Sequence, residues 1–316
     1  MTFSYGGNYD MTTNWNSRAF TNAIGYLADR GTDEVLIFEK DGIQVHENFT
    51  DSEATDVKAI QKSLFALMIG IAVDRRIVEV SDPLHKYLPK GWTGLPETDE
   101  KRLTIQHLLT MTTGMNDALE PAGEIGVTWR YNNTAYNYLK RVLTEQTGRP
   151  LQELTEEWIC NPLGMTQTKW VERDSLLPDG RNVTGLEMSG HDMAQLGLLI
   201  LNGGSRSSGR LISNSYWQRM LSPGSSTNPA WCFMWWRNDQ DHFMTPYVDK
   251  TFYRPVIPEA PASLIFSQGL EENRIFVDPT RRRVIVRRGG PAVKPGERHN
   301  FDRHLWTLMQ QIWSDT

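Results

Sequence analysis

The stretch Ala59-Ile60-Gln61-Lys62-Ser63-Leu64-Phe65-Ala66-Leu67-Met68-Ile69-Gly70-Ile71-Ala72-Val73-Asp74 decides the fold. It reads as one helix, apolar on most sides. Its longest apolar run, Leu64 to Val73, is ten residues. That is about half a membrane span, so the expectation is a buried core helix. Lys62 falls within the first turn. A lysine there either snorkels to the surface or is buried for a purpose, and the residues alone leave both readings open.

Working outward, the chain of 316 residues is 39% apolar and 22% charged, with net charge −5. Those values exclude disorder and a disulfide-stapled mini-protein, and allow one large domain or two modest ones. The mild acidity argues against a nucleic-acid partner. Arg281, Arg282, Arg283, Arg287 and Arg288 flank Val284-Ile285-Val286 and read as the polar ends of a strand. Met1-Thr2-Phe3-Ser4-Tyr5-Gly6-Gly7 has neither the basic nor the apolar part of a secretory leader. With only Cys160 and Cys232 present, the expectation is a soluble cytoplasmic protein with no membrane partner. Eleven tryptophans exceed what a core of this size needs, so some are candidates for a pocket wall.

Helical periodicity over residues 15–30 is followed by two strands, 34–40 and 43–47, around the turn Asp41-Gly42. After the 59–74 helix come helices at 104–111, 134–147, 151–160, 191–201 and 213–221. Strands return at 231–236, 262–268, 274–277 and 283–287, and a helix over 299–313 closes the chain. Strands therefore lie at both ends of the chain and helices in the middle. This predicts an α+β fold: an antiparallel sheet built from both ends, flanked by helices, plus an inserted mainly helical region. Residues 1–55 and 225–316 would form the sheet region and 56–224 the helical one. Together they would make one catalytic unit with its site in the cleft between them.

Several motifs stand in one order: the helix from Lys62 to Asp74, Ser81-Asp82-Pro83-Leu84-His85-Lys86-Tyr87-Leu88-Pro89, the 103–115 segment, Tyr131-Asn132-Asn133, Asn161-Pro162-Leu163-Gly164-Met165 and Asp192-Met193-Ala194-Gln195-Leu196-Gly197. Over roughly residues 30–315 the chain resembles the serine β-lactamase and penicillin-binding-protein superfamily, and within it the class C-like esterases and amide hydrolases. The family's first motif is Ser-x-x-Lys. Here it reads Ala59-Ile60-Gln61-Lys62, with alanine at the nucleophile position.

The resemblance implies a division of labour. Residues i and i+3 share a helix face, so a serine at position 59 would lie beside Lys62. Lys62 would act as base once its pKa falls toward neutrality. Tyr131 would carry the proton to the leaving group, and Asn133 would hold Lys62 or the substrate amide. Ser267-Gln268-Gly269 is the best candidate for the third motif. Ser267 stands where a cation or histidine is more usual, which argues against a β-lactam target. The backbone N–H groups of residue 59 and Leu270 would form an oxyanion hole, and Gly269 would let a substrate approach the strand. Trp129, Trp231, Trp235, Trp236 and Trp170 are candidates for the wall around the acyl or leaving group. Glu271 and Glu272 could meet a cationic substrate end, and His242 reads as solvated. No Cys/His cluster has metal-ligand spacing, no glycine-rich phosphate loop precedes a helix, and no cofactor is expected.

The expected function is that of a serine hydrolase or acyltransferase. Its partner would be a small ester or amide, through an acyl-enzyme at position 59. Ala59 itself has three readings. It is an engineered knock-out, the favoured one, or a natural non-catalytic binding protein, or a fold in which Lys62 and Tyr131 do acid–base work alone.

Overall fold

The structure is a computed structural model that describes residues 15–39, 42–51 and 53–313. Its first helix, α1 (Ser17–Asp29), starts where the Asn16 side chain accepts the Ala19 N–H at 3.0 Å. Ala19, Ala23, Ile24 and Leu27 recur at helical spacing and are buried. The hairpin β1 (Thr32–Glu39) and β2 (Gly42–Asn48) follows. Its turn residue Asp41 lies outside the described residues.

The main sheet takes these two strands from the start of the chain and four from its end. The latter are β3 (Trp236–Arg237), β4 (Ile265–Gln268), β5 (Arg274–Asp278) and β6 (Arg283–Gly289). The spatial order is β2-β1-β6-β5-β4-β3, antiparallel throughout. Leu36 pairs with Val286, Phe276 with Ile285 and Phe266 with Trp236. Successive side chains point to opposite faces, and both faces are covered. On one face, Ile275 lies under α4 (Gly190–Leu201). There a Cβ on Gly197 would come within 2.5 Å of Val284, so the helix can lie this close only as glycine. On the other face, Phe276 meets Trp306 of α5 (Phe301–Ile312) edge-on at 5.4 Å. That terminal helix packs on α1. Strands with two covered faces read as continuous apolar runs, which is how 284–286 and 275–277 read in the sequence.

Between the two ends of the chain run α2 (Ile60–Asp74) and α3 (Asn133–Thr147). Every residue of α2 from Ile60 to Ala72 is buried, as expected of a helix apolar all round. Asn132 caps α3, accepting the Ala135 N–H at 2.7 Å, and Gly148 ends it in the left-handed conformation. Among the described residues no helix is long and apolar enough to cross a membrane.

Three local expectations are corrected, and one hairpin is added. Residues 231–236 form a tight turn rather than a strand. Met234 takes φ 59°, Cys232 N–H donates to Trp235 O at 2.9 Å, and only Trp236 continues into the sheet. The middle region also carries strands that show no clear period-two pattern: Thr55–Asp56, Thr168–Leu176 and Asn182–Met188 make a small antiparallel sheet. The stretch 237–262 holds a hairpin, Phe243–Thr245 with Val248–Phe252. Finally, Arg287 and Arg288 are buried rather than polar strand ends. Arg288 pairs with Glu34 at 3.0 Å, and Arg287 donates to the carbonyls of Arg30, Glu271 and Gly290. Glu34 and Arg30 come from the other end of the chain, which a local reading does not reach.

Candidate active site

Ala59 is the N-cap of α2, so its backbone stands at the positive end of the core helix with no side chain to cap it. One turn on, Lys62 is 4% exposed. Its Nζ donates to Asn133 Oδ1 at 2.8 Å. It also lies 4.8 Å from the centre of the Tyr131 ring and 4.7 Å from that of Tyr136. Burial, with the Arg173 guanidinium adding to it, brings its pKa down to about 7. The alternatives left open for Lys62 thus resolve to burial. Asn133 takes up its position because Asp117 holds the start of α3, accepting the Asn133 N–H at 2.6 Å and the Thr134 N–H at 3.4 Å. Tyr131 is pushed well above the ordinary phenol range, chiefly by burial, so it stays a proton-bearing phenol at neutral pH.

A pocket of about 240 Å³ opens beside these groups. Ala59, Ser63 and Tyr131 line it together with Ser267, Gly269 and Leu270 at the end of β4. Ser63 Oγ lies 2.6 Å from Ser267 Oγ and donates to the Met234 carbonyl at 2.6 Å. This bond ties α2 to the sheet. A Cβ on Gly269 would stand 2.4 Å from Val57 O and 3.3 Å from Ala59 N. The glycine is therefore required by the chain's own backbone at 57–59, which it brings against β4. Among the described residues neither the Ala59 nor the Leu270 N–H donates to a protein acceptor.

The tryptophans divide. Trp231 and Trp236 line the pocket. Trp129 and Trp235 do not. Trp129 is buried behind Tyr131, Trp231 and Trp236, with ring centres 6.0–6.3 Å away, and Trp235 is fully buried. The turn at Met234 sends the Trp235 ring into the core, where an extended strand would have alternated. Trp170 also lies away from the pocket, its Nε1 donating to Thr155 Oγ1 at 2.8 Å. Glu272 faces the pocket and accepts the Ala292 N–H at 2.8 Å, whereas Glu271 pairs with Lys58 at 3.4 Å. His242 bonds Asp241 and the Ser226 carbonyl, outside the pocket. Arg274 lines the pocket, but its guanidinium is taken by Asp302 at 2.8 Å and by the Gly269 and Asn273 carbonyls.

Sequence reasoning missed Ser63, Asp117 and the hairpin residues Thr245, Pro246 and Tyr247, which complete the wall. Ser63 had a legible signal, since it stands directly after Lys62. The hairpin residues had none, because their place depends on how a surface excursion folds back. Among the described residues no group of His, Cys, Asp and Glu could hold a metal ion.

An antiparallel sheet drawn from both chain ends, with a buried lysine one turn into a core helix, defines a β-lactamase-type protein. The chain belongs to the beta-lactamase family, whose model matches residues 26–287. Among curated relatives, PbpX of Bacillus subtilis is 26% identical over 211 residues, covering 54% of this chain and 51% of that protein. A D-alanyl-D-alanine-carboxypeptidase/endopeptidase, AmpH of Escherichia coli, is 25% identical over 140 residues, covering 36% of each. The chain thus spans about half, or less, of the length of the curated relatives it matches. Among solved structures, EstCE1, a hydrolase with promiscuous acyltransferase activity, superposes with TM-score 0.67 at 14% identity, over 94% of this chain and 98% of that one. A β-lactamase/D-alanine carboxypeptidase from Yersinia pestis gives 0.63 at 15% identity, over 95% and 99%. At such identities the likeness is one of fold.

Proposed function

We propose that this fold serves a serine hydrolase or acyltransferase that acts on a small ester or amide, and that Ala59 makes this chain a nucleophile-deleted form. One observation carries the reading. Lys62, buried with its pKa near neutrality and held by Asn133, stands one turn from an alanine. A buried amine is costly, and a hydroxyl at position 59 would give it a proton to take.

With serine at 59, the neutral Lys62 amine takes the hydroxyl proton. The oxygen then bonds to the substrate carbonyl carbon, and the oxyanion takes hydrogen bonds from the N–H groups of residue 59 and Leu270. Collapse of this intermediate breaks the bond to the alcohol or amine, which leaves with a proton delivered through Tyr131. Water or an amine then takes the acyl group from the serine. The aromatic walls Trp231, Trp236 and Tyr247 favour an apolar acyl or leaving group. Among the described residues, Ser267 and the fully engaged Arg274 leave no free cation in the wall for a substrate carboxylate.

The test is Ala59→Ser, followed by a fluorophosphonate probe and a nitrophenyl ester. Covalent labelling and a burst on the revertant are expected, with neither on the chain that carries Ala59. No labelling of the folded revertant would sink the hydrolase reading. The binding-protein reading rests on Ala59 alone, and an alanine codon in the natural gene would favour it.

A further inference from the structure

Lys140 is a second buried lysine that the chemistry above does not use. It lies on α3, 5% exposed, two turns beyond Asn133. Its Nζ meets four oxygens: Gln61 Oε1 at 2.7 Å, Asn137 Oδ1 at 3.0 Å, and Thr184 Oγ1 and O at 2.7 and 2.9 Å. It also lies 4.8 Å from the Tyr136 ring centre and 4.7 Å from that of Trp170. Tyr136 is the ring that Lys62 touches as well. The two ammonium positions are therefore no more than 9.5 Å apart. Gln61, which receives one of the Lys140 bonds, is the residue before Lys62, and the Tyr136 hydroxyl donates to the Gln61 carbonyl at 3.3 Å.

The charges around this pair are few. Arg173 faces both lysines and is bound to Asp56 at 2.7 and 2.9 Å. Asp117 faces Lys62 from the start of α3, and Asp56 faces Lys140. Tyr131 and Tyr136 are phenols held protonated by burial. Among the described residues no carboxylate lies within ion-pair distance of either amine. Two like charges at this separation, in a protein interior, oppose each other by about one pH unit of proton affinity. The site therefore favours one proton over two. Burial also pushes Lys140 well below the ordinary lysine range, with the charges of Lys62 and Arg173 adding to it, so both amines are depressed and burial alone does not favour Lys140. The acceptors decide which amine keeps the proton: among the described residues Lys140 has four oxygens and Lys62 has only Asn133.

We propose that Lys140 is a positioning residue for the Lys62 base. It carries the proton of this two-lysine site, keeps Lys62 as the free amine, and fixes the first turn of α2 through Gln61. The proposal deepens the hydrolase reading and rests on it for its catalytic meaning, but the proton placement can be read without turnover.

The experiment titrates Lys62 by NMR of lysine labelled at the side chain, in the chain with Ala59, assigning its signal with Lys62→Arg. Replacing Lys140 by Met, which fills the space without charge, should raise the Lys62 midpoint by about one pH unit. Lys140→Arg keeps the charge and should leave the midpoint in place. Should Lys140→Met not fold, Thr184→Val removes one acceptor and should move the midpoint the same way by less. In the Ala59→Ser background, the acid limb of kcat/KM should follow the Lys62 midpoint, with KM unchanged. An unmoved Lys62 midpoint in folded Lys140→Met or Thr184→Val overturns the proposal. Absence of labelling in the revertant would instead sink the hydrolase reading alone.

Discussion

Lys62 donates to Asn133 Oδ1 at 2.8 Å, joining the first turn of the core helix to the first residue of α3 across 71 positions of chain. No other hydrogen bond of the Lys62 amine occurs among the described residues. Asn133→Ala therefore leaves the buried Lys62 amine without an acceptor among the described residues. In the Ala59→Ser background, this substitution should slow fluorophosphonate labelling roughly tenfold to hundredfold, the worth of one hydrogen bond to a charged or ionising group. Labelling rates of the two folded chains check it. Equal rates would remove Asn133 from the machinery.

Tyr131 is held as a phenol by burial, so its hydroxyl bears a proton at neutral pH and is not a phenolate base. Tyr131→Phe in the revertant keeps the ring beside Lys62 and removes only the hydroxyl. Turnover of a nitroanilide, whose amine needs a proton to leave, should fall by about 10²–10⁴. A nitrophenyl ester, whose leaving group departs as an anion, should be affected less. Equal losses on both substrates would assign Tyr131 to the attack step instead.

One part of this site is local and so legible in the chain, while the meeting of Lys62 with Tyr131 and with Asn133, 71 positions on, was supplied by the family resemblance rather than by spacing. Lys62 stands three positions from Ala59 on one helix, and Asn133 stands two from Tyr131 where a helix begins. Only the first spacing carries geometry directly, since positions i and i+3 share a helix face; the second is legible as a motif of the resemblance. The sheet was readable for a related reason: β5 and β6 are buried on both faces and show it as unbroken apolar runs. What escaped was set by distant partners. Trp235 left the pocket because Met234 turns the backbone, and Met carries no turn signal. The strands Thr168–Leu176 and Asn182–Met188 are largely exposed or half-buried, and charges at Glu172, Arg173 and Asp174 blur any alternation. Ser63 bonds Ser267 across 204 residues, a contact no spacing rule supplies.

Gly269 separates two explanations of a glycine at the end of β4. If it served only the approach of a substrate, alanine would be tolerated by the fold. The Cβ would in fact stand 2.4 Å from Val57 O, which is backbone and cannot swing aside. Gly269→Ala should therefore lower stability by roughly 1–3 kcal/mol through overpacking. In a chain this size that is a fall in Tm of several degrees. A thermal melt of the unliganded protein checks it, and an unchanged Tm would return the glycine to a role in substrate access alone.

The cost of burying the Lys62 amine beside Tyr131 should appear in the pH dependence of stability. Lys62 has its folded pKa brought down to about 7, against an ordinary value of 10.5. Between these values the unfolded chain binds the proton and the folded chain does not, so stability rises with pH across that window. Below about 7 both states are protonated and the folded state bears the full cost of the buried charge. Above 10.5 neither is protonated and the cost vanishes. Lys62→Met removes the amine and keeps the apolar stem. It should raise Tm most at about pH 6.5, where the relief amounts to a few kcal/mol less the hydrogen bond to Asn133, and the gain should shrink steadily toward about pH 9.5. Paired thermal melts of the two chains across that range measure the difference. A gain that stays constant with pH would mean that Lys62 titrates alike in both states, and would take away the neutral base on which the proposed chemistry depends.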